Sequence, residues 1–131
     1  NYGRNGGSGM NLKEHLANVE TSNDFSYAIR NFLDEFYNAP SLKLFADAPQ
    51  WLAEKLDDDG LADAWVAAAV GHLSQMYDLV LPNWVHQPGR IMNRPWFAAK
   101  SKKLKTVLLQ ESPAAFRVRN LFVSDNVLSR A

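Results

Sequence analysis

The sequence predicts an all-α fold, a single compact multi-helix bundle of about five to seven helices around a buried central helix near residues 61–79. Three observations predict it. Between Leu61 and Leu79 almost the whole helical circumference is apolar. Leu61, Trp65, Ala68, His72 and Met76 form one stripe, Val66, Val70, Leu73 and Tyr77 the next, and four further alanines fill the gaps. A helix apolar on most faces is covered by its neighbours, and alanines let those neighbours come close. Second, Phe25, Ile29, Phe32, Leu33, Phe36 and Tyr37 recur at i, i+4, i+7, i+8, i+11 and i+12, the single stripe of a helix packed on a core. Third, residues 10–131 show no hairpin turn pair and no internal repeat.

Taken in order, Asn1 to Gly9 is polar and glycine-rich and reads as a cloning remnant or flexible tail outside the fold, leaving residues 10–131 as one helical domain. Leu12, Leu16 and Val19 make a short amphipathic segment. Thr21, Ser22, Asn23 and Asp24 supply caps for a helix over 25–37, which Pro40 stops. Ser41 to Ala48 reads as a short helical turn. Asp47-Ala48-Pro49 then reads as the start of a helix over 50–56 that buries Trp51, Leu52 and Leu56. Asp57-Asp58-Asp59-Gly60 is a solvated acidic turn ahead of the central helix. Residues 80–95, with Pro82, Pro88, Gly89 and Pro95, form an irregular connection pinned by Trp84, Val85 and Ile91. Trp96 to Gln110 resumes helical spacing, with Phe97, Leu104, Val107 and Leu108 inward. Ser112-Pro113 reads as a cap and first position for a helix over 114–122, and Ser124 or Asp125 as the cap of a last turn.

The chain has 131 residues, 47% of them apolar, with seven Phe, four Trp and four Tyr. That supports one sizeable core and excludes wholesale disorder. There is no cysteine, so disulfides, thiolate metal sites and cysteine nucleophiles are absent. No apolar run approaches the roughly 20 residues of a membrane span. Together these point to a cytoplasmic protein that contacts no membrane. Net charge is zero, yet residues 1–65 hold five Lys/Arg against eleven Asp/Glu, and residues 66–131 hold nine against three. Such polarity either compensates within the fold or offers a basic face to an acidic partner or nucleic acid.

Catalytic chemistry is sparse. His15, His72 and His86 share no metal-pair spacing, and the triple aspartate lacks the distal glutamate of a calcium loop, so neither a metal nor a cofactor is expected. His72 falls on the apolar stripe and reads as a hydrogen-bonded core histidine. His86, in the proline-rich connection, is the candidate base of a small hydrolase or nucleotide-processing enzyme, the reading placed last. No nucleophile elbow or phosphate loop occurs. What remains is basic and aromatic. For nucleic acid the candidates are Arg90, Arg94, Lys100, Lys102, Lys103 and Lys105. Arg117 and Arg119 point in different directions on a helix, so one is free to pair with Glu111 while the other faces outward.

The segments Pro95-Trp96-Phe97, Glu111-Ser112-Pro113-x-x-Phe116-Arg117-x-Arg119-Asn120 and Asn126-x-Leu128-Ser129-Arg130-Ala131 carry a further signal. With WLAEKL and LPNWV upstream, they resemble a family of short bacterial helical proteins. That family is similar to the smaller partner of toxin–antitoxin-like operons, often beside a nucleotidyltransferase-like gene. The resemblance spans most of 51–131 and implies a binding or neutralising role with no catalytic residues. The resulting expectation is a non-catalytic interaction protein that binds a protein encoded in the same operon through its basic C-terminal third. Its contacts would come from Trp96, Arg117, Arg119, Asn120, Ser129 and Arg130. A nucleic-acid-binding regulator using the same surface is the alternative.

Overall fold

The computed structural model of the chain describes residues 10–129. The expectations for residues 1–9 and for Arg130 lie outside them. Within the described residues the chain is predominantly helical, with a single two-stranded parallel sheet.

Helix α1 (Leu12–Leu16) is closed by a capping box between Asn11 and Glu14, and α2 (Ser22–Asn38) by a second one between Thr21 and Asp24. In each box two amides with no partner inside the helix find a side chain. The stripe expected on α2 is buried through Ile29, Phe32, Leu33 and Phe36. A 3₁₀ turn, Leu42–Leu44, follows with Ser41 as its cap.

Helix α3 is shorter than the sequence implies. It covers Ala53–Leu56 instead of starting at Gln50, and Trp51 is half exposed. The reason is tertiary. The amides of Leu52 and Ala53 donate to the buried carboxylate of Asp63, at 2.8 and 3.1 Å, so the chain stays open until Ala53.

Helix α4 (Leu61–Met76) is the expected centre, with ten buried residues from Ala62 to Ser74. Asp58 accepts from the amides of Gly60 and Ala62 at its start. The apolar reading runs too far at the other end: Met76 is 65% exposed, and Tyr77 is also exposed. The helix closes at Tyr77, and Asp78 turns the chain with a positive φ of 54°.

The connection holds two 3₁₀ turns, Asn83–His86 and Pro88–Arg90. Both turns pack against α4, pinned by the buried Trp84 and Val85, while Ile91 is half exposed. The expected helix from Trp96 divides in two. Trp96–Phe97 is strand β1, and α5 (Lys102–Glu111) begins only after the Ser101 cap. The next expected helix also stops early. Helix α6 is Ala114–Arg117, after which Asn120 turns at φ 65° and Leu121–Phe122 forms β2, paired in parallel with β1. The local signals for helix lose here to a register set by distant backbone: Trp96 N donates to Asn120 O, and Ala98 N to Phe122 O.

Candidate protein-docking face of the C-terminal third

The expected contact residues divide sharply by environment. Arg90 is withdrawn from any surface role. It is 1% exposed, with its guanidinium carbon 4.0 Å from the ring centre of Trp51 and 4.8 Å from that of Trp84. Its Nη1 donates to Asp63 O at 3.3 Å and lies 3.8 Å from Asp63 Oδ1, an ion pair too long for a hydrogen bond. Burial pushes Asp63 upward, against the opposing effects of the Leu52 amide and Arg90, and pushes Arg90 downward against Asp63. The expectation that Arg90 meets phosphates fails because its long side chain finds two indole faces. Arg94, Lys100, Lys102 and Lys103 are exposed, and Lys105 is half buried with Nζ 5.3 Å from the Phe97 ring centre.

Among the partner-binding candidates, Arg117 is exposed, and its Nη2 donates to Ser112 O at 2.7 Å. It does not pair with Glu111, whose Oε1 takes the Asp125 amide and the Ser124 hydroxyl. Asn120 is structural. Its left-handed backbone is a conformation that asparagine tolerates well, and its Nδ2 donates to Met92 O at 2.7 Å. Trp96 is half buried against the core. Ser129 is exposed and lines a cavity of about 570 Å³ with Phe25 of α2, Trp65 of α4 and Val127.

Arg119 is a correction of a different kind. It is 7% exposed, so it is no free surface cation. Nη1 donates to Ala115 O at 2.8 Å and Nη2 to Val85 O at 3.3 Å, while Nε is buried without a partner. Burial alone holds its guanidinium below the ordinary arginine value. Arg119 nevertheless lines a shallow groove of about 420 Å³ together with Leu81, Val85, His86, Ile91 and Val118. Gly71 forms part of the same wall, and a Cβ there would lie 3.2 Å from Ala115 Cβ. The groove walls are mainly apolar side chains, and Val118 is 68% exposed.

His86 is exposed on this groove, and no carboxylate is among the lining residues, so its expected acid–base partner is not beside it. His72 is half buried with its ring against Phe116, and its Nδ1 is without a partner. Desolvation keeps its pKa below the ordinary 6.5. The hydrogen bond expected at this core histidine is therefore missing at Nδ1. Among the described residues no group of three or more His, Asp or Glu converges as a metal site, and no helix is long and apolar enough to cross a membrane.

Sequence reasoning missed the groove because its parts come from α4, the Asn83–His86 turn and α6, far apart in the chain. The available signal was the pairing of Gly71 with the Ala114-Ala115 step, small residues that let two backbones approach. Comparison with protein-family models, curated proteins and solved structures finds no match to the chain.

Proposed function

We propose that the chain is a non-catalytic bacterial interaction protein, the antitoxin or regulatory partner of a two-gene operon, which binds a protein through its C-terminal third. The observation that carries this reading is the apolar surface left open there. Ile91 and Val118 on the groove are 50% and 68% exposed, Leu104 and Leu109 on α5 are 54% and 48% exposed, and Arg94, Lys102, Lys103 and Arg117, close to them in sequence, are exposed as well. Large exposed apolar side chains rimmed by charge mark protein-contact surfaces. The operon setting comes from the resemblance of the Pro95–Phe97, Glu111–Asn120 and 126–131 segments. Co-expression with the product of the adjacent gene tests the reading. The expected result is a complex that survives size-exclusion chromatography, and substitution of Val118 by Glu is expected to dissociate it. Two separate peaks at micromolar concentration overturn it.

A nucleic-acid-binding regulator is the second reading, favoured by the exposed run Arg94, Lys100, Lys102 and Lys103. It requires affinity for operon DNA that falls steeply with salt. A gel shift with no retardation at low salt removes it.

A further inference from the structure

Arg119 sits in an uncompensated position. The ion pairs among the described residues are His15–Glu35, Lys55–Glu20 and Arg90–Asp63, and none of them involves Arg119. A guanidinium has five N–H donors, and here two are satisfied by the carbonyls of Ala115 and Val85. Carbonyl oxygens stabilise a cation without neutralising it, and a buried charge with no counter-ion costs free energy. Most buried arginines escape this cost by pairing, as Arg90 does with Asp63. Arg119 instead lines an open groove whose apolar walls include Leu81, Ile91 and Val118, with Gln75 and His86 as its other polar side chains. The groove thus combines apolar contact area with one unbalanced positive charge.

Building on the reading of this face as a protein-docking surface, we propose that the groove receives an apolar segment of a protein partner bearing an aspartate or glutamate, whose carboxylate seats against the Arg119 guanidinium. The apolar flanks of that segment cover Leu81, Ile91 and Val118, and the carboxylate supplies the charge that the fold omits. A carboxylate matches the planar fork of arginine, and the interaction strengthens as the segment excludes water. A polyphosphate backbone suits the site poorly, because most of the lining is apolar and, besides Arg119, only Gln75 and His86 offer it polar side chains.

The test uses the whole chain and a random peptide display library, with Val118→Glu as counter-selection. Peptides that bind the wild-type protein and not the variant are expected to carry Asp or Glu flanked by Leu, Ile, Val or Met. For such peptides, exchange of the carboxylate for its amide is expected to weaken binding at least about tenfold, the effect of losing one charge-assisted hydrogen bond. On Arg119→Gln the two peptide forms are expected to bind equally. If that variant does not fold, the acid–amide pair measured on the wild-type protein decides alone. Binders that depend on the groove yet show no preference for the acid overturn this inference and leave the docking reading standing. A library that yields no Val118-dependent binder overturns the inference, while co-elution with the adjacent gene product still decides the docking reading separately.

Discussion

Ser112 is fully engaged in the interior rather than at a helix start. Its hydroxyl lies 2.6 Å from Leu108 O and 3.1 Å from Val123 O and accepts from Val123 N at 2.9 Å, joining the end of α5 to the chain after β2. The Ser-Pro pair reads locally as an N-cap, and only the fold brings Val123 within reach of the hydroxyl. Ser112→Ala leaves the buried Val123 amide unpaired, and urea unfolding is expected to show a loss of about 1–3 kcal/mol. Asn120 makes a second residue-scale point. At φ 65° a β-branched side chain meets its own backbone, so Asn120→Val is expected to destabilise more than Asn120→Gly, by about 1–2 kcal/mol in thermal melts. His72 gives the chain a pH dependence. Its folded pKa lies below 6.5, so the unfolded chain binds the proton more readily. That contribution to stability is complete above 6.5 and is lost as pH falls through and below it. Urea midpoints measured at pH 7.5 and 5 are expected to converge in His72→Gln relative to the wild-type protein.

At the scale of elements, α4 was legible because its composition alone demands cover on all sides, and α2 because one stripe and one capping cluster agree. Boundaries set by distant groups were not legible: Asp63 delays α3, and the β1–β2 pairing breaks two helical stretches. Helix α5 illustrates the limit. Its spacing places Leu104, Val107 and Leu108 on one side, yet only Leu108 is buried, with Leu104 54% and Val107 40% exposed. The double change Leu104→Gln, Val107→Gln is therefore expected to leave the melting temperature nearly unchanged, since exposed substitutions stay within about 0.5 kcal/mol each. A large drop in melting temperature would mean that this face packs against the core.

At the scale of the whole molecule, the acidic first half and basic second half are joined among the described residues by a buried ion pair, Arg90–Asp63. Asp63 there fastens α3, α4 and the Pro88–Arg90 turn together. Its change to Ala strands a buried guanidinium and is expected to cost about 3–5 kcal/mol by chemical denaturation. The charge asymmetry was plain in the sequence, but which arginines reach the surface was not, because that depends on whether indoles or carbonyls from other segments enclose them. Arg117 stays outside, Arg90 is enclosed, and Arg119 is enclosed beside an opening. The most direct test of the interaction reading is size-exclusion chromatography of the chain mixed with the adjacent gene product at micromolar concentration. One shared peak for the wild-type protein and two peaks for Val118→Glu is the predicted result. Separate peaks for the wild-type protein, or a shared peak that survives Val118→Glu, would contradict it.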